Sequence, residues 1–313
     1  MKTDYSKNVI WVAVIGLLYF AWFGGVVGLR IEHIALFIIV GSAYILSPVS
    51  RRWVLAFAAF LVYWMLYDSL RVCPNYKVNP VHIVEPYMFD KQWFGVNSAL
   101  GRITLNEYWA AHTSPFLDVL SALFYLSWVP VPMAFGVWLW RNNKPLFVRF
   151  SYGYLFTNLV GFIIYYLYPA APPWYVELNG FVLHPDTARS AAGLDNFDNM
   201  FGIKLFHNMY QRNSNVFAAI PSLHSAYPFI TLLYARLSGQ RWAMILFSFL
   251  CIGIWFAAVY LRHHYVIDVL LGIGTALLGF YIFETLVQRT WLKNWFKGLL
   301  QSISTPVGEP SSK

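Results

Sequence analysis

The chain has 313 residues, of which 58% are hydrophobic, 19% aromatic and only 12% charged, and it carries a formal net charge of +8. So much apolar surface with so few charges excludes a soluble globular domain. Two cysteines, Cys73 and Cys251, fall in an expected loop and an expected membrane span, so no disulfide framework is implied.

Apolar runs long enough to cross a bilayer, which takes roughly 20 residues per helix, recur along the chain. They predict an all-α polytopic membrane protein of about eight transmembrane helices, at about residues 9–28, 34–49, 53–69, 117–140, 146–168, 219–237, 241–260 and 264–287. The runs are continuous rather than alternating, which argues against a β-barrel. Near the N-terminus the first run lacks a small-residue cleavage pattern and leads into further spans, so it is expected to remain as an anchor. After the last run, residues 288–313 are basic and then rich in Ser and Pro, reading as an interfacial segment followed by a disordered tail.

Charge orients the expected bundle. With the N-terminus cytoplasmic, alternate connections on that side hold 13 of the 22 basic residues and three of the 14 acidic ones. Short loops obey the positive-inside rule one by one. Membrane asymmetry therefore accounts for the basic balance, and no nucleic-acid partner is called for. The segments before His224 and before His264 then share the extracytoplasmic or luminal face. Two long connections, about 70–116 and 169–218, lie on that face and exceed ordinary loop length, as lids, substrate caps or interfacial helices do. They carry Trp93, Phe94, Tyr108, Trp109, Trp174, Phe197 and Phe206, residues whose rings favour the headgroup layer.

Ionisable groups at the mouths of membrane spans are costly and mark pathways, partners or chemistry. His264 and Asp268 are spaced i, i+4, which puts them on one helix face and lets the carboxylate accept from one ring nitrogen, leaving the other as a nucleophile. His224, in Pro221-Ser-Leu-His224, supplies an acid and base. Pro221 suits a first helical turn, Ser222 adds a donor, and Arg262 offers a bidentate cation for phosphate. Together these residues point to phosphoryl transfer. A metal site made of His224, His264 and Asp268 is the alternative chemistry, and a non-catalytic transporter with protonatable groups is the alternative class. His263 reads as a structural neighbour, His33, His82, His112, His184 and His207 as solvated loop residues, and Gly272 and Gly274 as helix-packing positions.

The segments Ala219-Ile-Pro-Ser-Leu-His224-Ser and His263-His-Tyr-Val-Ile-Asp268-Val resemble the second and third motifs of the type 2 phosphatidic acid phosphatase superfamily. With Pro169-Ala-Ala-Pro-Pro-Trp-Tyr175, the combination looks like the branch that contains fungal inositol phosphorylceramide synthase. The resemblance covers about residues 53–287 and implies a six-helix catalytic core there, preceded by two further transmembrane helices in 1–52 and followed by the basic segment and tail. It implies His264 as nucleophile, Asp268 as its orienter and His224 as leaving-group acid, with Trp174 and Tyr175 at the substrate. The phosphatase branch has a Lys-x6-Arg-Pro motif and an Arg six residues before the third-motif histidine; this chain lacks the first and has Ala258 at the second position. Fewer cations suit a phosphodiester better than a phosphomonoester, because less charge must be offset.

The expected function is thus transfer of a phosphorylated headgroup, phosphoinositol by the resemblance, from a phospholipid donor to the hydroxyl of a ceramide-like acceptor. A lipid phosphate phosphatase using water at the same triad is the alternative. No cofactor, metal or obligate protein partner is implied. Absence of any Asn-x-Ser/Thr sequon leans toward a bacterial inner membrane over a Golgi one.

Overall fold

The computed structural model describes residues 2–99, 101–211 and 215–304, and they form two compact units, Met1–Val72 with Thr285–Lys313, and Cys73–Glu284. The first begins with α1 (Lys2–Trp22), continued by a π-helical turn at Phe23–Val27, followed by α2 (Ile31–Leu46), α3 (Pro48–Ala56) and α4 (Ala58–Ser69). Ser47 caps α3 by accepting from Ser50 N–H, with Pro48 in the first turn. His33, expected in a solvated loop, is fully buried at the start of α2. Its Nε2 lies 3.0 Å from Asp68 Oδ2, and the same carboxylate accepts from Arg30 and Arg71, each at 2.5 Å. Burying a carboxylate requires such partners, and partners 35 residues away are invisible to local pattern.

The second unit opens with the first long connection. After a 3-10 turn come α5 (Val84–Phe94), a hairpin of β1 (Val96–Ser98) antiparallel to β2 (Gly101–Ile103), and α6 (Leu105–Ala111). A reciprocal capping box between Thr104 and Glu107 starts α6. The chain continues through α7 (Pro115–Ser127), α8 (Pro130–Asn142) and α9 (Lys144–Leu167), the caps of α7 and α9 being Ser114 and Asn143, each followed by Pro in the first turn. In the second long connection α10 (Pro173–Asn179), α11 (Leu194–Phe201) and α12 (Leu205–Gln211) follow, and then α13 (Leu223–Leu237), α14 (Arg241–Tyr260) and α15 (Val266–Val287). Within the bundle Arg149 of α9 and Glu284 of α15 form an ion pair that Tyr234 joins by donating to Glu284 at 2.8 Å. An ionised pair among apolar helices is tolerated because each member satisfies the other. Last in the chain, α16 (Thr290–Ser304) returns to the first unit and packs on α3; the tail expected beyond it lies outside the described residues.

The protein is an all-α polytopic membrane protein. Five described stretches are long and apolar enough to span, Tyr5–Val27, Pro115–Asn142, Lys144–Leu167, Arg241–Tyr260 and Val266–Val287, and the pair Pro48–Ala56 and Ala58–Val72, bent by 52°, makes six if taken as one. The remaining two expected stretches are helical but shorter. α2 has 16 residues and starts at a polar cluster, while α13 has 15, beginning only at Leu223. The reason is that residues 217–219 are extended rather than helical. Three short segments run side by side there: His82 N–H donates to Pro169 O (2.8 Å), Ala171 N–H to His82 O (2.9 Å), Ala170 N–H to Phe217 O (3.1 Å) and Ala219 N–H to Ala170 O (3.2 Å). Proline favours extended backbone at and before itself, so Pro169-Ala-Ala-Pro-Pro makes a strand-like middle rail between the two others.

Candidate active site

The middle rail sets the position of Ala219, and Ala219 sets the histidine. The Nδ1–H of His264 donates to Ala219 O at 3.1 Å, so Nε2 carries the lone pair. Nε2 faces Nδ1 of His224 at 3.2 Å. His224 sits in the first turn of α13, whose N-cap is Ser222: Ser222 Oγ accepts from Ser225 N–H (3.3 Å) and from Ser225 Oγ (3.0 Å). The Ser222 N–H donates to Asp268 O (3.0 Å), docking this turn on α15. Close docking needs Gly272, where a Cβ would fall 2.2 Å from Ser222 O, whereas Gly274 faces open space.

Asp268 is fully buried, with Oδ2 3.5 Å from His264 Nδ1. That exceeds hydrogen-bond length. The carboxylate instead accepts from Tyr265 N–H at 2.9 Å, closing the first turn of α15, and the hydrogen bond expected from Asp268 to the imidazole is made by the Ala219 carbonyl. Asp268 also lies on the Nδ1 side of His264 while His224 lies on the Nε2 side, so the three do not converge on one point. Among the described residues no three His, Cys, Asp or Glu side chains are grouped to hold a metal ion.

Aromatic rings complete the surroundings. Tyr125 of α7 stacks on His224 (centroids 4.8 Å apart, 23° between planes) and on His263 (5.2 Å, 14°), and Trp128 meets His224 edge-on at 4.9 Å. Tyr210 of α12 also stacks on His263, at 4.6 Å. These rings fix the imidazoles and limit water. His263 Nε2 donates to Ala191 O (3.1 Å), Gly193 N–H to Leu261 O (3.1 Å) and Trp174 N–H to Arg262 O (3.0 Å), so the second long connection is bonded along the histidine turn.

Other expected site residues occupy more specific places. Arg262 has a left-handed backbone (φ 63°), and its Nε lies 3.2 Å from Glu177 Oε2. Trp174 and Tyr175 are buried with Ile83, Ala171, Ala192 and Phe217. The Tyr175 hydroxyl donates to Val182 O (2.9 Å) and accepts from His184 N–H (2.6 Å). Both therefore build the wall beside the turn. Tyr125, Trp128 and the Ala219 carbonyl were not singled out from sequence; the first two carry only the signal of aromatic residues near a span end. Alongside the site, an open groove of about 390 Å³ is lined by Pro86, Phe89, Ile164, Tyr168, Ile267 and Leu271 among others, nearly all apolar.

Two histidines thus face each other, one ring held in a fixed tautomer by a carbonyl and the other at the first turn of a capped helix, an arrangement with an unprotonated ring nitrogen beside a proton carrier. The sequence profile of the PAP2 superfamily matches residues 101–282, and the chain belongs to that superfamily. It is 41% identical over 95% of its length to the phosphoinositol dihydroceramide synthase of Bacteroides thetaiotaomicron, covering 99% of that protein. It is 31% identical over 61% of its length to the inositol phosphorylceramide synthase of Candida albicans, covering 40% of that chain. With the inositol phosphorylceramide synthase catalytic subunit of Saccharomyces cerevisiae it shares 27% identity over 81% of its length and 61% of that chain. No solved structure gives a significant match.

Proposed function

We propose that this chain is an integral-membrane phosphotransferase that moves phosphoinositol from a phospholipid to the primary hydroxyl of a ceramide-type lipid, releasing diacylglycerol. Full-length similarity to a phosphoinositol dihydroceramide synthase is the observation that carries it. Among the site's features, the 3.2 Å approach of His264 Nε2 to His224 Nδ1 supports it most directly.

In the first step His264 Nε2 attacks phosphorus, the N–P bond forms and the bond to the diacylglycerol oxygen breaks. His224 gives that oxygen its proton. In the second step the ceramide hydroxyl loses its proton to His224 and attacks phosphorus, the N–P bond breaks, and His264 is regenerated. A covalent intermediate splits one hard displacement into two easier ones, and a positioned acid or base contributes roughly 10²- to 10⁴-fold. The phosphorus lies between the rings, so they part as substrate binds. Asp268, buried beside Nδ1, favours the imidazolium that develops as nitrogen bonds to phosphorus.

Water and a lipid hydroxyl are chemically equivalent toward a phosphohistidine, so the surroundings choose the acceptor. Buried rings around the histidines disfavour water, and the apolar groove beside the turn suits a hydrocarbon chain. The charge asymmetry supports a site at the extracytoplasmic face, and similarity to a bacterial protein favours a bacterial membrane. The test is lipid analysis after incubating purified protein with inositol-labelled phosphatidylinositol. Diacylglycerol release is expected to depend on added ceramide, with the label recovered in a lipid. Water-soluble inositol phosphate formed equally fast without ceramide, or efficient release of phosphate from phosphatidate, would assign the site to hydrolysis instead.

A further inference from the structure

The turn between α14 and α15 carries His263 and His264 and leads into Asp268, and like any helix-to-helix turn it leaves carbonyls free at one end and N–H groups free at the other. Some of these needs are met locally. Ala258 O accepts from both His263 N–H (3.1 Å) and His264 N–H (3.0 Å), and Asp268 takes Tyr265 N–H. Others are met from far away in the sequence. The Nδ2 of Asn106 donates to Val259 O (2.8 Å) and His264 O (2.9 Å), partners 153 and 158 residues distant, which uses both of its protons and ties the end of α14 to the residue that bears the nucleophile. On the opposite end, Asp90 Oδ1 accepts from Ile267 N–H (3.1 Å) in the first turn of α15.

Neither side chain is a surface residue: Asp90 is 0% exposed and Asn106 3%. Burial, with Asp268 nearby, pushes the Asp90 carboxyl up to about 7 against the opposing pull of the Ile267 and Val266 N–H groups. An oxygen on such a group accepts in either protonation state. The segments bearing the two residues are themselves braced. The β1–β2 hairpin joins α5 to α6, Arg102 Nε donates to Lys91 O (2.7 Å), and a Cβ on Gly95 would fall 2.2 Å from Lys91 O. A braced platform presents one donor pair and one acceptor to the two ends of a nine-residue turn.

We propose that Asn106 and Asp90 are positioning residues for the reaction, holding the 259–267 turn so that His264 Nε2 is aligned with the phosphorus it attacks. The inference rests on the reading of His264 as nucleophile. Misplacement of a reacting atom by about 1 Å costs on the order of 10²-fold in rate without weakening substrate binding. Asn106→Asp keeps the volume but turns both donors into acceptors facing two carbonyls. It is expected to lower kcat about 10²-fold, with KM within about twofold and the rate of phosphoenzyme formation falling in parallel. Asp90→Asn keeps an acceptor for Ile267 N–H and is expected to stay within about threefold of wild type, whereas Asp90→Leu removes it and is expected to lose at least about 30-fold in kcat.

Kinetics on detergent-purified protein, with thermal midpoint and monodispersity measured alongside, decide the matter. Should Asn106→Asp not give folded protein, Asn106→Ala is measured against the same criteria. A kcat within threefold of wild type for the Asn106 variant overturns the proposal. So does a parallel change in kcat, KM and thermal midpoint, which would mark a merely structural role, and so does Asp90→Asn failing as badly as Asp90→Leu. His264→Ala is the reference: activity surviving in that variant would overturn the nucleophile assignment itself, a different result from active Asn106 variants beside a dead His264→Ala.

Discussion

At the scale of single residues, the proposed chemistry turns on which nitrogen of His264 holds the proton. The Ala219 carbonyl settles that at 3.1 Å, with Asp268 behind it at 3.5 Å. An order of effects follows. His264→Ala is expected to abolish both turnover and the acid-labile phosphoenzyme. His224→Ala removes only the proton donor and is expected to slow formation of the phosphoenzyme by roughly 10²- to 10⁴-fold. Asp268→Asn still offers an oxygen to Tyr265 N–H, and the Ala219 carbonyl still fixes the tautomer, so its loss is expected to be the smallest of the three. Rapid-quench counting of acid-labile label from phosphatidylinositol measures all three, and wild-type counts in His264→Ala would remove that residue from its role. The two histidines and Asp268 were legible in sequence because they are ionisable groups at the ends of apolar runs. The carbonyl that orients His264 was not, since every residue has one and only the fold decides which of them reaches a ring.

Among elements, the site is made where the first turn of α13 lies on α15. Ser222 N–H bonds to Asp268 O, and Gly272, one turn further along α15, leaves room for Ser222 O. Gly272→Ala would put a methyl 2.2 Å from that carbonyl, and backbone cannot yield as a flexible side chain does. Overpacking of this kind costs roughly 1–3 kcal/mol, and here it would also lift the His224 turn away from His264. The expected outcome is a lowered thermal midpoint together with a loss of activity at temperatures where the protein remains folded. Gly274→Ala, facing open space, is the control and is expected to leave both near wild type. Sequence pattern treated these two glycines alike, as helix-packing positions, because helical periodicity does not say which neighbour arrives at each one. The start of α13 was misjudged for a related reason. The apolar run from Ala219 reads as helix, but pairing of residues 217–219 with the middle rail wins over local preference.

Considered as a whole, the molecule wears its apolar side chains outward. Leu17, Ile39, Ile163, Ile245 and Ile252 are among many exposed large hydrophobics, which in water would be an aggregation hazard and in lipid is the natural state. The proposed orientation, argued from the basic residues of alternate connections, predicts a labelling pattern. With native Cys73 replaced, Asn142→Cys at the exposed C-terminal end of α8 is expected to be shielded from an impermeant thiol reagent in intact cells, and Asp186→Cys in the second long connection is expected to react. The reverse pattern would place the histidine pair in the cytoplasm.

By itself the sequence determined the class of fold and singled out His224, His264 and Asp268 as candidate reacting groups. Both are written in local signals: apolar length sets a helix across a bilayer, and a histidine at the mouth of such a helix marks a candidate site. The tertiary structure alone decided what holds those groups in place. Asn106, Tyr125 and Ala219 reach the histidines, and Asp90 reaches Ile267 beside them, from distant parts of the chain through contacts that no periodicity records. It also showed that Trp174 and Tyr175 pack in a buried cluster, that Ser222 caps α13, and that His33 is buried beside Asp68. The physical reason is the same in each case. Burial obliges every polar group to find a partner, and which partner it finds depends on where distant segments meet.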